Sequence, residues 1–236
     1  MVRRYRTLIV ATVLTGMTVA STGHAQDRLR VKIGDLDRFE HLPDRAAFCP
    51  PASSTTKDVS PAIEWSPGPT GTQSYALLMT DPDVPKDFSQ INKPGVVIAA
   101  AAPRIPAYHW VLDDIPVAIT SLASGIEGDG LAPHGKPVGV TGHGRRGANI
   151  YTTFLASNAE MSGTYGGYDG PCPPVNDERP HRYVVQVFAL DIRSLGLSGP
   201  FDGSSVERAM RSHVLAEGEA VATYALNPNL RGQPEQ

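Results

Sequence analysis

Residues 29–33, Leu-Arg-Val-Lys-Ile, alternate apolar and charged side chains, the period of a half-buried strand, and Gly34-Asp35 ends the run. Ala62-Ile63-Glu64-Trp65 predicts a second short strand, followed by a turn over residues 67–71. Residues 74–80, Ser-Tyr-Ala-Leu-Leu-Met-Thr, form a continuous apolar run that predicts a core strand, stopping at Asp81-Pro82-Asp83-Val84-Pro85. Residues 86–108 read as an excursion whose apolar middle, 96–102, fits a strand or a helical turn equally well. His109-Trp110-Val111-Leu112 resumes strand character before a turn at 113–116. Residues 49–61 and 124–149 carry Pro, Gly or Ser at short intervals and predict loops, the second one long and partly mobile. The clearest strand covers 181–192. A helix is expected after a cap at Ser204 or Ser205, with Val206, Ala209, Met210, His213 and Val214 on one face. Gly218 is expected to end it before a last strand over 220–226. The pattern is mainly β, with no internal repeat and no domain linker.

The N-terminus has a different character. Arg3, Arg4 and Arg6 precede an uncharged, apolar or small stretch over 8–20, and Gly23 and Ala25 supply the small-x-small pattern of a signal-peptidase site. Residues 1–25 are therefore expected to be a cleaved signal peptide, since the stretch is too short to cross about 30 Å of hydrocarbon as a helix. Residues 26–236 are expected to form one domain, periplasmic or secreted, with no transmembrane anchor. Removing those three arginines takes the net charge from −3 to −6. That excludes sequence-independent nucleic-acid binding, which needs a basic surface, but not a local anion pocket. Cys49 and Cys172 are the only cysteines. In an oxidising compartment they are a disulfide candidate; the alternative is two buried thiols.

Three polar residues stand where apolar strands meet tight turns: Asp81, His109 and His181. Strand ends on one rim of a sandwich converge in space. Two imidazoles there offer N–H donors, and a carboxylate can fix one imidazole's tautomer. The Gly170-Pro171-Cys172-Pro173-Pro174 turn offers backbone N–H groups to an oxyanion, and Tyr183 adds a hydroxyl. The same residues also fit a structural reading, with Asp81 and Asp83 holding an Asx turn and the histidines packed in the core.

In order along the chain, Thr80-Asp81-Pro82-Asp83-Val84-Pro85, His109-Trp110-Val111, Tyr168-Asp169-Gly170-Pro171-Cys172-Pro173-Pro174 and His181-Arg182-Tyr183 resemble the signature segments of the phosphatidylethanolamine-binding protein family. Residues 58–65 are similar to its early Ser-Pro-x-x-x-Trp segment. Spacing and added loops most resemble the bacterial Raf-kinase-inhibitor-like branch, over about residues 30–228. The resemblance implies an antiparallel β-sandwich of two sheets with a few peripheral helices, and a small anion-binding cavity at one end. Asp81, His109 and His181 would line that cavity, Gly170, Pro173 and Pro174 would wall it, and Tyr183 would stand beside it. Arg182 would be an ion-pair partner. One departure is the Ala107-Tyr108 pair, where the family often has an aromatic residue before the histidine. Another is the long 86–108 insertion, a candidate roof for the pocket.

The function so implied is non-enzymatic binding of a phosphate-containing small molecule or lipid head group, without cofactor or metal. One alternative is inhibition of a protease or kinase through the pocket rim; export favours a protease or host protein as partner. A phosphoester hydrolase is a weaker alternative, because no nucleophile or metal motif is evident. On the binding reading, His181→Ala removes anion binding and leaves the fold intact. The Gly142-His143-Gly144-Arg145-Arg146-Gly147 run lacks the strand and helix of a dinucleotide site. Asp81-x-Asp83 lacks the rest of a calcium loop.

Overall fold

The computed structural model describes residues 27–231, apart from 50, 52–53 and 55–56; the expected signal peptide lies outside the described residues. Among the described residues, ten strands form two sheets. The larger has the order β1-β10-β9-β4-β5-β8-β7 and the smaller β2-β3-β6. In chain order they are β1 (Asp27–Arg28), β2 (Val31–Ile33), β3 (Ile63–Trp65), β4 (Ser74–Pro85) and β5 (Arg104–Pro116). There follow β6 (Ser121–Leu122), β7 (Gly139–Thr141), β8 (Gly144–Arg146), β9 (His181–Leu190) and β10 (Val214–Tyr224). Neighbours pair antiparallel except β1, which runs parallel to β10. Two short helices, α1 (Tyr151–Phe154) and α2 (Gly203–Met210), complete the expected sandwich with peripheral helices.

The unbroken apolar run of β4 has a plain cause: both faces of this strand are covered. Tyr75, Leu77 and Met79 join Trp110, Leu112, Val185 and Val187 in the core with Ile63 and Trp65 of the small sheet. Ala76 and Leu78 face the other way, into a cluster with Phe188, Phe201, Val206 and Met210 under α2. A strand buried on both sides loses its alternation. A third cluster, Phe48, Tyr151 and Tyr165, packs with Cys49 and Cys172.

Several boundaries differ from those predicted. β4 continues through Asp81 to Pro85, because its pairing with β5 absorbs the prolines by irregular register between Asp81 and Val84. The 124–149 stretch is not all loop: β7 and β8 form a hairpin added to β5, and the Gly142–Gly147 run is its turn and second strand. α2 is capped by Asp202, which accepts from the Ser205 N–H, rather than by either serine. It stops at Met210, so His213 is not on it; that ring bonds Asp191. Gly218 lies inside β10, opposite Val187, and a Cβ there would collide with the Leu29 carbonyl. The glycine permits the close approach of the N-terminal segment.

Candidate functional site

β4 lies between β5 and β9 and is antiparallel to both, so its C-terminal end meets the N-terminal halves of its two neighbours. This topology brings Asp81, His109 and His181 to one end of the larger sheet. Asp81 sits opposite Ala107, and Thr80 opposite both Tyr108 and Val184. All three site residues are buried, with exposures of 2%, 4% and 1%.

His181 is enclosed by carboxylates. Its Nδ1 is 2.7 Å from Asp81 Oδ2 and its Nε2 3.2 Å from Asp177 Oδ2. Both partners accept, so both ring nitrogens carry hydrogen. Burial alone would depress the pKa of this imidazole. The Asp81 and Asp177 carboxylates outweigh it and hold the pKa at about 9. Asp177 is also gripped by the Arg104 guanidinium. Burial acts to raise its pKa, but bonds from His181 and Arg104 hold it below the ordinary carboxylate range. The second oxygen of Asp81 accepts the Asp83 N–H at 2.7 Å, the local turn expected from the sequence. Asp83 in turn pairs with Arg182 and Arg179, which bring its pKa to about 2 despite burial. The expected ion-pair role of Arg182 follows from this contact.

His109 is in a different state. Its Nδ1 donates to the Asp169 carbonyl at 2.8 Å, which fixes the tautomer of the neutral ring and turns Nε2 outward as an acceptor. Burial pushes its pKa below the ordinary imidazole value, against the pull of Asp81. Two phenol rings stand edge-on to it, Tyr183 at 5.3 Å and Tyr151 at 5.6 Å between centroids. The Tyr183 hydroxyl is buried and makes no well-formed hydrogen bond among the described residues, although the Asp81 carboxylate lies near it. Burial first, and then the nearby Asp81 charge, raises its pKa far above the ordinary phenol value.

The wall segment 168–174 is held by side chains from elsewhere. The Asp169 N–H donates to the His109 carbonyl, and the Asp169 carboxylate accepts from Lys136 and Asn149 at 2.6 Å each. The Gly170 N–H donates to Asp58 Oδ1, and its carbonyl accepts the Tyr151 hydroxyl. A Cβ at Gly170 would collide with the Ala46 carbonyl, which explains the glycine. Asp58 is buried against Asp169, and its pKa rises to about 8 through burial and that charge, against the pull of Lys136. A disulfide joins Cys172 of the wall to Cys49.

Asp81, His109, His181 and Tyr183 meet in this region, Gly170 lies beside them in the wall segment, and Pro173 and Pro174 are buried further along it, but the chemistry differs from the simplest sequence reading. Both N–H groups of His181 are spent on carboxylates, so only His109 keeps a ring nitrogen free. The wall offers few backbone donors: Gly170 has given its N–H to Asp58, and Pro171, Pro173 and Pro174 have none. Tyr108 does not replace the missing aromatic. It alternates to the opposite face of β5, where it packs under Gly203 of α2. Tyr151, from the turn of α1, stands against His109 instead. The 86–103 segment lies along the wall, with Ile98 bridging Asp177. Tyr151, Arg104 and Asp177 escaped the sequence reading; only the four-residue spacing of Asp177 and His181 could have signalled one of them.

Residues 38–225 match the family model described as phosphatidylethanolamine-binding protein. The UPF0098 protein of Aquifex aeolicus (strain VF5) is 32% identical over 168 residues, covering 71% of this chain and 75% of its own. The UPF0098 protein YbcL of Escherichia coli (strain K12) is 26% identical over 221 residues, covering 94% and 99%. The crystal structure of E. coli YbcL, described as a new member of the mammalian PEBP family, superposes with a TM-score of 0.57 at 22% identity, over 84% of this chain and 99% of that one.

Proposed function

The chain belongs to the phosphatidylethanolamine-binding protein family, and from that membership and the site geometry we propose that it binds phosphate-type anions or phospholipid head groups without chemically changing them. The observation that carries this reading is His109 Nε2, a ring nitrogen with no protein partner among the described residues, beside the buried Tyr183 hydroxyl, whose one nearby acceptor, Asp81, it meets without a well-formed hydrogen bond. Asp81, His181, Asp177 and Arg104 are each tied to protein partners. A buried hydroxyl without a well-formed hydrogen bond costs about 1–3 kcal/mol, a penalty that an oxyanion accepting from it would remove. Charge supports the same choice. The Asp81–His181–Asp177–Arg104 chain balances itself, leaving no buried charge that an anion must oppose. The phenols whose rings pack against His109, Tyr151 and Tyr183, have strongly raised pKa values, which makes both poor nucleophiles and argues for binding over hydrolysis.

Binding is proton-linked on this reading. A neutral His109 presents a lone pair, which repels an anion that has no hydrogen of its own. The complex therefore needs imidazolium at His109, and the bound anion raises the pKa that burial had lowered. Proton uptake accompanies binding, and affinity falls as pH rises. His181, with a pKa near 9, stays charged throughout. The expected result for sulfate, an acceptor-only probe, is an affinity that falls steadily as pH rises, by up to about tenfold per pH unit once pH exceeds the lowered His109 pKa. Calorimetry in buffers of different ionisation enthalpy should give close to one proton taken up per anion. A flat profile with no proton uptake would contradict the role assigned to His109.

The reading places the protein outside the cytoplasm, after removal of residues 1–25, with 26–236 as one binding unit. The Cys49–Cys172 disulfide supports an oxidising compartment. No helix among the described residues is long and apolar enough to cross a membrane.

A further inference from the structure

The wall segment also holds a lysine against two carboxyl groups. Lys136 Nζ lies 2.6 Å from Asp169 Oδ1 and 3.8 Å from Asp58 Oδ2; both acids are fully buried, and the lysine side chain is only 13% exposed. The other Asp169 oxygen, Oδ2, accepts from the Asn149 side-chain N–H at 2.6 Å. Asp58 Oδ1 accepts the Gly170 N–H, while its Oδ2 makes no well-formed hydrogen bond among the described residues. Burial and the Asp169 charge raise the Asp58 pKa to about 8, so this carboxyl keeps its proton at neutral pH. Oδ2, beside Asp169, is the oxygen left to carry it. Tyr151 and Tyr168, close enough to feel both carboxyl groups, spend their hydroxyls on the Gly170 and Ala46 carbonyls. An amine, a carboxyl carbon, a proton carrier and an N–H donor are thus shut together away from water. Anion binding needs none of this chemistry.

We propose that Lys136 and Asp169 condense to an intramolecular amide, an isopeptide cross-link between the 124–149 stretch and the wall, with Asp58 as proton carrier and Asn149 as oxyanion donor. Lys136 first passes a proton to Asp169 Oδ1, leaving a neutral amine beside a neutral acid. A water-poor enclosure favours that exchange because it penalises both charges. The Nζ lone pair attacks Asp169 Cγ and forms the C–N bond, while the Asn149 N–H stabilises the charge gathering on Oδ2. Asp58 gives its proton to Oδ1 and takes one from the nitrogen, so the C–Oδ1 bond breaks and Oδ1 leaves as water. An ammonium and a carboxylate become an amide and one water, Asp58 is regenerated, and no oxidant or reductant is needed. Holding the groups in contact supplies effective molarities on the order of 10⁵–10⁸ M in well-oriented cases. The neutral amide also escapes the desolvation penalty of a buried ion pair. Its loop spans 33 residues of sequence and braces the wall independently of the disulfide.

The test is the intact mass of the folded mature protein, incubated until the mass is constant and then reduced and alkylated. The natural chain should be lighter than its sequence by one water. A tryptic digest should yield a branched species joining the peptide that carries Lys136 to the peptide that carries Asp169. Lys136→Arg should restore the full mass, as should Asp58→Asn, which keeps an oxygen for the Gly170 N–H but has no acidic proton to give. A natural chain at full mass overturns the proposal, and that measurement does not depend on any variant folding. A water loss that persists in Lys136→Arg, or that hydroxylamine reverses by cleaving the chain, also overturns it, since a succinimide at Asp169-Gly170 would then account for the mass. A branched peptide formed to completion in Asp58→Asn overturns the role given to Asp58.

Discussion

His181→Ala is expected to lower the stability of the protein by about 3–5 kcal/mol, because it leaves two buried carboxylates facing an empty space. His181 contacts Asp81 at 2.7 Å and Asp177 at 3.2 Å, and all three side chains are at least 98% buried. Asp177 keeps Arg104, but Asp81 keeps no cation and is left with the Asp83 N–H and the nearby Tyr183 hydroxyl among the described residues. The expectation from sequence that this change would spare the fold does not suit such an enclosure. The penalty also depends on pH in a defined direction. The folded pKa of His181, about 9, lies above its unfolded value of roughly 6.5. Its stabilisation is therefore fully present below pH 6.5 and lost as pH rises through 9. Urea unfolding of natural and variant protein should show a wide gap at pH 6 that narrows by pH 10. Equal stability at pH 6 would mean that the imidazolium contributes nothing to the fold.

Loss of the disulfide is the second large effect. Cys49 and Cys172 are 123 residues apart in sequence, so the bond removes much of the freedom of the unfolded chain. The chain-entropy account gives about 5 kcal/mol, and removal of native disulfides typically costs about 2–5 kcal/mol. Local packing points the same way. Both cysteines pack on Phe48, Tyr151 and Tyr165, and the Cys49 N–H donates to the Pro171 carbonyl. The bond therefore braces the wall and the tyrosine that faces His109. A Cys49→Ser, Cys172→Ser variant should unfold roughly 5–20 °C lower in scanning calorimetry, with weaker anion binding below its transition. An unchanged transition temperature would show that the wall is held by the Asp58, Lys136 and Tyr151 contacts alone.

Asp81, His109 and His181 stand at the limits of apolar runs in the sequence, and the pairing of β4 with β5 and β9 brings those limits together, although β4 runs on past Asp81, β5 starts before His109, and only His181 begins its strand. Motif order then fixed which turns form the wall. What stayed hidden depended on contacts between distant segments. Tyr151 belongs to a one-turn helix with no periodicity to betray it, and its place beside His109 follows from the wall folding over α1. Asp177 and Arg104 are typical loop and strand-start residues until the 86–103 segment aligns with the wall. The β7–β8 hairpin was hidden by glycines that also spell loop. The protonation pattern was beyond the sequence entirely. Two histidines in equivalent positions became an imidazolium enclosed by carboxylates and a neutral ring bonded to a carbonyl, and only their partners distinguish them.

The most direct test of the account is an NMR titration of the protein with inorganic phosphate and O-phosphoethanolamine at pH 6, following the His109 ring nitrogens. It should be run alongside His109→Asn, which retains a donor toward the Asp169 carbonyl and lacks the outward nitrogen. The account predicts saturable binding, a shift of His109 Nε2 from lone-pair to protonated character, an unchanged His181 imidazolium, and no binding by the variant. Binding that leaves His109 unmoved, or that persists in His109→Asn, would contradict it.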